Sequence, residues 1–503
     1  MNLKQVSITM FSGLLLCGAA LAQQPSSGSI TLANPVSLSG RAGQSGSVSA
    51  QQTSVPGTTQ SVNTLNSTVS VQGPYGQSAL AASGVAGKLS LREAVHRGLE
   101  YNLGSSGLSN AALQAHGQMR IARSSLLPNL NGSLREVVQQ SNLAAQGLHL
   151  PSVPQVIGPY NYFDLRATLT QTVADLSAWN NYRSAKENLR AAEMAAKDSR
   201  DLVVLAVGGA YLQVLSAQAR VDAAKAHVET ARALFGQMHQ RREAGLNAQI
   251  DANRSQVEYQ MQTQRLTTLK NDLAKQKINL CRMIGLSPDT DLELSDNVPF
   301  SPAPTLKFDE ALRLALETRA DLKAAEASER SAKRAEGAAK SERLPSLSVS
   351  ADYGALGTNP AQSHDTYNIT GTLRFALWQG GRTEGDIEQA RAALNQRRSE
   401  VSELHGRIEA DLKNALLDVD SAASQLTVAE SNLKVARENL DLTRQRIEAG
   451  IADSVEGTQA QETAATAELD SITSLFAHNL AKLSLARALG GAEEKLPSYL
   501  AIQ

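Results

Sequence analysis

Between residues 163 and 173 apolar and polar side chains alternate. Leu165, Ala167, Leu169, Gln171 and Val173 fall on one side, and Arg166, Thr168, Thr170 and Thr172 on the other. A period of two predicts a β-strand with one apolar and one polar face. The pattern returns from Tyr367 to Leu377, where Ile369, Gly371, Leu373, Phe375 and Leu377 oppose Thr370, Thr372, Arg374 and Ala376. Leu130 to Val138 and Leu347 to Tyr353 read as their partner strands. Beyond each pair the rhythm changes. Ser177 to Glu243 contains no proline, and Leu189, Ala192, Ala196, Ser199, Val203, Ala206 and Ala210 recur at steps of three and four. Such spacing predicts a coiled-coil seam with small knobs. At about 1.5 Å per residue the helix would span about 100 Å, too long for one globular core. Leu412, Leu416, Val419, Ala423 and Leu426, then Leu433 and Leu440, keep the same beat in a second long helix. Leu91 to Leu126 also reads helical, stopped by Pro128.

These elements occur twice. Leu89-Ser90-Leu91-Arg92-Glu93-Ala94 matches Leu306-Lys307-Phe308-Asp309-Glu310-Ala311. Leu127-Pro128-Asn129-Leu130 matches Leu344-Pro345-Ser346-Leu347 at the same offset. Arg241-Arg242-Glu243-Ala244-Gly245-Leu246 matches Arg446-Ile447-Glu448-Ala449-Gly450-Ile451 at a shorter one. Landmarks recurring in one order signal an internal duplication. The shortening means that the first half carries extra length between Pro128 and Gly245. It is placed in a loop around Gln139 to Tyr160, where Gly and Pro gather. Each half reads helix, strand, strand, long helix, helix. The expected divisions are 1–22, 23–88, a first repeat at 89–290, a linker at 291–305, a second repeat at 306–491 and a tail at 492–503.

Residues 1–22 have the form of a secretory signal: Lys4, an apolar core from Phe11 to Ala22, and the small-x-small site Ala20-Leu21-Ala22, which would make Gln23 the mature terminus. That core is short of the roughly 20 residues a spanning helix needs. Leu16 before Cys17 argues against lipid attachment, since the processing pocket wants a small residue there. Cys281 would then be the remaining cysteine, and its neighbours Leu280, Met283 and Ile284 predict a buried, inert thiol. Residues 23–88, rich in Ser, Gly, Gln, Thr and Val, predict a flexible extension, with order beginning near Leu89. A net charge of −1 gives no footprint for nucleic acid. Aromatic residues at 4% suit long helices better than a large compact core. The longest apolar run past the signal, Leu202 to Leu212, contains Gly208 and Gly209 and falls short of a membrane span. Membrane passage would therefore require a β-barrel. The eight histidines show no metal-ligand spacing, and neither a phosphate loop nor a nucleophile elbow appears. Gly104-Ser105-Ser106-Gly107 is too short to count. An enzyme is not expected, nor a cofactor or resident metal.

Leu91-Arg92-Glu93-Ala94, Leu344-Pro345-Ser346-Leu347, Trp378-Gln379-Gly380-Gly381-Arg382 and the paired segments Arg241–Leu246 and Arg446–Ile451 resemble the TolC-like outer-membrane efflux family. The resemblance spans about Leu89 to Gly490. It implies a mainly α protein with a β-barrel part: a homotrimer whose twelve strands, four per subunit, form one barrel in the outer-membrane lipid. A long coiled-coil tunnel would hang below it in the periplasm. It also implies a passive exit duct for efflux or type I secretion, working with a periplasmic adaptor (a membrane fusion protein) and an inner-membrane pump. Oligomerisation answers a physical need as well, because four strands cannot close a barrel and open edges are not tolerated in lipid. Pro128 and Pro345 stand where helix becomes strand, and Gly380-Gly381 where strand becomes helix. The first half has Ala174-Asp175-Leu176-Ser177 at that junction, which predicts a stiffer one.

Gly245 and Gly450 each end a long helix, as a left-handed helix stop requires. The resemblance places these tips, including Leu246 and Ile451, at the periplasmic entrance where an adaptor docks. Asp251 and Glu456 follow the two glycines by the same short step, one turn and a half of helix. The family carries an acid at the place of Glu456, while Gln459 departs from a second acidic position. Three copies would form a ring that attracts cations. For Asp251 a solvated helix carboxylate is the preferred reading. Arg241, Arg242 and Arg446 could latch the tips by ion pairs, each weak when exposed. The rival readings are a periplasmic coiled-coil scaffold without a barrel, which the two-faced strands oppose, and a secreted enzyme, which lacks site chemistry.

Overall fold

The computed structural model describes residues 46–495 apart from 56–63, 80–87, 144, 146, 148–153, 246–247, 297–299, 303–306, 450 and 453. The expected signal, Cys17 and Gln23, and the end of the tail lie outside the described residues, as do Leu246 and Gly450. In chain order the elements are β1 (Val48–Val55), β2 (Thr64–Val71), α1 (Leu91–Tyr101), α2 (Leu103–Ser124), β3 (Asn129–Asn142), β4 (Val156–Ala174), α3 (Leu176–Glu243) and α4 (Gln249–Met283). The second half follows with α5 (Phe308–Thr318), α6 (Ala320–Ser341), β5 (Ser346–Gly357), β6 (Ser363–Arg374), α7 (Arg382–Glu448) and α8 (Ser454–Ala488).

The duplication is built into the element boundaries. α5, α6 and β5 follow α1, α2 and β3 by one common interval: Leu91 to Phe308, Leu103 to Ala320 and Asn129 to Ser346. α8 follows α4, from Gln249 to Ser454, by the shorter interval that separates Gly245 from Gly450. The extra length of the first half is not all loop. Gln139 and Tyr160, expected to bound that loop, are themselves strand partners, and the ladder runs on to Asn142↔Val156. Alternation there was hidden by the Gly and Pro residues that an edge hairpin tolerates.

Two expectations are corrected. The single helix from Leu91 to Leu126 is two helices. Asn102 leaves helical geometry (φ −66°, ψ 132°), its side-chain oxygen accepts from Gly104 N at 2.8 Å, and its amide donates to the Tyr75 carbonyl at 2.7 Å. The same residue thus closes α1 and caps α2. Its duplicate, Arg319, breaks α5 from α6 in the same way (φ −58°, ψ 124°), with Nη2 on Asp321 at 2.6 Å. The second correction concerns residues 23–88. Within them β1 and β2 form an antiparallel hairpin in register from Val48↔Val71 to Val55↔Thr64. Val48, Ala50, Val69 and Val71 pack on the main core. Gly209 on α3 makes room, because a Cβ there would lie 2.5 Å from Val69 Cγ2. Composition registered that this stretch is poor in bulk, but the period of its few apolar residues suffices once α3 and α8 supply a surface.

The long helices pack as their seams predict. α3 packs against α2, α4, α6 and α8, and α7 packs against α6 and α8. Two layers of one row result: α2-α3-α6-α7 on the side of the sheet and α4-α3-α8-α7 toward the hairpin tips. On α7 the inward line is Leu412, Ala415, Val419, Ala422, Leu426 and Ala429, continued by Ala436, Thr443 and Ile447, all buried. The steps of three and four keep one seam facing a neighbour along the helix. The apolar stretch of α3 is, by length and composition, fit to cross a bilayer. Here it is core: Val203, Val204, Ala206, Val207 and Tyr211 are fully buried beneath α1, α8 and the hairpin.

Candidate functional site

The four-stranded sheet has the order β3-β4-β5-β6, antiparallel throughout. Its registers set Leu130 beside Leu169, Leu134 beside Leu165, Ala351 beside Ile369 and Tyr353 beside Tyr367, all on one face. That face is bare: Leu130 is 72% exposed, Tyr367 77% and Ile369 69%. A contiguous apolar sheet face open to water marks a surface that something apolar covers. The opposite face is polar. Arg166 bonds Asp164 at 3.2 Å, and also Asp352 and Thr366, while Thr168 and Thr170 extend the row. Apolar without and polar within is the division a barrel wall requires. Among the described residues β3 and β6 leave the two edges of this sheet unpaired.

The junctions follow local chemistry. Pro128 and Pro345 stand immediately before β3 and β5. Gly380 (φ +60°) and Gly381 (φ +84°) turn the chain into α7 through a left-handed pair. In the first half Asp175 does this work: its carboxylate caps α3 by accepting from Ala178 N at 2.9 Å. β6 ends at Arg374 rather than at Leu377, because its partner β5 begins opposite Arg374 at Ser346 and Pro345 has no N–H to extend the ladder. Leu377 and Trp378 project beyond the sheet, 89% and 88% exposed.

At the other end, α3 stops at Gly245 (φ +71°), whose N–H donates to Arg242 O at 2.9 Å. α7 stops with Ile451 N–H reaching back to Arg446 O at 2.9 Å, the long return bond that closes a helix end. Arg446 pairs with Glu456 at 2.9 Å, joining the two sides of the second hairpin. Arg241 Nη1 donates to the Ile447 carbonyl at 3.3 Å, joining the first hairpin to the second. Arg242 forms no ion pair among the described residues. Asp251 sits in the first turn of α4 and Glu456 in the first turn of α8. Sequence reasoning placed Arg446 and Glu456 at one tip but did not pair them. It also missed a groove of about 400 Å³ between α3, α7 and α8, lined by Leu234, Leu440, Ile447, Gly457 and Gln461. The one sequence signal for it was a glycine early in a helix: a Cβ on Gly457 would lie 2.6 Å from Ile447 Cδ1.

Residues 110–286 and 311–491 match the family model described as outer membrane efflux protein, one match for each half of the duplication. The chain is 25% identical to the outer membrane protein TolC of Vibrio cholerae over 281 residues, 54% of this chain and 61% of that protein. It is 24% identical to the pyoverdine export outer membrane protein OpmQ of Pseudomonas aeruginosa over 392 residues, 75% of this chain and 80% of that one. Its fold is similar to the CmeC outer membrane channel of Campylobacter jejuni, with a TM-score of 0.72 at 15% identity, covering 81% of this chain and 89% of CmeC. A two-faced four-stranded sheet, a paired set of helical hairpins beneath it and a family match across both repeats lead to one conclusion: the chain belongs to the outer membrane efflux protein family.

Proposed function

We propose that three copies of this chain close into one passive exit duct, which a periplasmic adaptor couples to an inner-membrane pump in efflux or type I secretion. The observation that carries this reading is that every layer of the protomer ends in two open edges, in the same order. The sheet ends in β3 and β6. The helical row ends in α2 and α4 on one side and in α7 on the other. Both helical edges carry exposed apolar residues. α7 presents Val428, Val435 and Leu442 at steps of seven, a second line apart from its packed seam. α4 presents Ile250, Val257 and Met261 in its half nearer the tips, and α2 presents Leu113 and Ile121. Unlike edges that meet head to tail close a ring. Two copies would give eight strands, a barrel whose interior side chains fill, whereas three give twelve and leave a passage.

The tips would form the periplasmic entrance, with Glu456 as gate acid and Asp251 as its weaker counterpart. The Arg446–Glu456 pair would act as a latch inside each protomer, and the groove beside Gly457 offers an adaptor hairpin a seat with an apolar floor of Leu234, Leu440 and Ile447 and a polar rim that includes Glu229, Arg444 and Glu448. The cargo is whatever the pump delivers. Single-channel recording in planar bilayers tests the gate. Glu456→Gln should weaken block by di- and trivalent cations and leave the trimer intact, and Asp251→Asn should do less. Unchanged conductance and unchanged cation block in Glu456→Gln would place the gate elsewhere.

A further inference from the structure

Between the hairpin strand β2 and the helices α3, α4 and α8 lies a cavity of about 180 Å³. Three of its lining atoms are buried hydrogen-bonding groups with no partner among the described residues: Ser67 Oγ, Ser216 Oγ and Arg220 Nε. A buried polar atom left unbonded costs free energy, so three converging on one space call for an occupant that bonds them. Arg220 defines its charge. Its guanidinium makes one hydrogen bond among the described residues, Nη2 to Thr473 Oγ1 at 3.0 Å, and no ion pair. Asp272 lines the same cavity and its charge acts on Arg220 from beyond ion-pair distance, so the guanidinium is only partly compensated. Arginine keeps its charge when buried, and its planar donors match a carboxylate.

We propose that this cavity binds a small carboxylate, held by Arg220 with the Ser67 and Ser216 hydroxyls, and with a donor at its far end turned to Asp272. The volume is below the roughly 300–1,000 Å³ of sites that take drug-sized molecules, so the occupant is a small solute and not the transported cargo. Phe476 and Leu269 give the space an apolar wall, which suits a short carbon chain better than a fully hydrated inorganic anion. The site is assembled by tertiary structure: it exists only where the hairpin strand closes over α3 and α8. Its occupant would therefore fix β2 to the helices.

The test is thermal unfolding of the purified full-length protein in detergent, titrated with acetate, glycine or phosphate against sodium chloride at equal ionic strength. Acetate and glycine should raise the midpoint in a saturable way, glycine at lower concentration because its ammonium group reaches Asp272. Arg220→Gln should weaken this response at least about tenfold, as expected for a lost charge-assisted bond. Ser216→Ala, which keeps the cation and the fold, should weaken it about three- to tenfold. Asp272→Asn should remove the preference for glycine over acetate. No saturable response in the wild-type protein, an undiminished response in both Arg220→Gln and Ser216→Ala, or a stronger response to phosphate than to either carboxylate would overturn the proposal.

Discussion

Val435 and Ala436 are neighbours on α7 with opposite surroundings. Ala436 belongs to the packed seam and is 7% exposed, whereas Val435 is 62% exposed in the protomer. If α7 meets α4 of the next copy, Val435 loses that exposure only on assembly. Full burial of a valine side chain contributes about 1.5–3 kcal/mol, so the exposed share is worth about 1–2 kcal/mol per seam. Three equivalent seams bring this to roughly 3–6 kcal/mol per trimer. Val435→Glu forfeits that term and adds the cost of burying a carboxylate, which is a few kcal/mol unless a partner compensates. The barrel edges still pair, so the variant should assemble but dissociate far more readily. Light scattering after chromatography in detergent, across a urea series, would follow this as a drop in the trimer's dissociation midpoint with the helical circular dichroism of the protomer unchanged. Ala436→Glu should do the reverse and cost helical structure first, because it strikes the seam between α7 and α8. A Val435→Glu protein with the wild-type dissociation midpoint would refute the edge-to-edge reasoning.

Gly245→Val forces a β-branched residue into a left-handed conformation, at a cost of about 1–3 kcal/mol. Among the described residues no atom lies within 4 Å of the added Cβ, so the cost is one of backbone. Trimers should assemble normally while export of a pump substrate falls, and Gly245→Asn should restore it; full export by Gly245→Val at normal protein levels would count against the tip as the coupling element. His478 is fully buried, neither ring nitrogen has a partner among the described residues, and burial holds its pKa down at about 4. The unfolded chain takes up its proton near pH 6.5 and the folded chain only near 4, so stability should fall as pH drops through that window, by up to about 3 kcal/mol. Urea denaturation at pH 7 and pH 4.5 would measure it, and His478→Leu should flatten the difference; an equal slope in the variant would assign the loss to other groups.

What the sequence determined by itself was local. The two-residue alternation in β4 and β6, the steps of three and four in α3 and α7, the prolines before β3 and β5, the left-handed stop at Gly245 and the left-handed entry to α7 at Gly380-Gly381 express constraints that act within a few residues. They hold wherever the segment finds itself, and the duplication doubled each signal. Tertiary structure decided matters of partnership. α7 carries two lines of apolar residues at coiled-coil spacing, and the sequence alone does not say that the line through Leu412 packs inside the protomer while the line through Val435 stays bare. Asn102 and Arg319 are inconspicuous within helical stretches until the distant Tyr75 and Asp411 bind them where the chain breaks. The hairpin at 48–71 has too little apolar surface to stand alone and is ordered by α3 and α8, which lie far away in the chain. Arg446 met Glu456, and Arg220 met Thr473, only when separate helices came side by side. Periodicity tells a segment which face must be covered, but the covering surface comes from distant residues, and its identity is a property of the packed molecule.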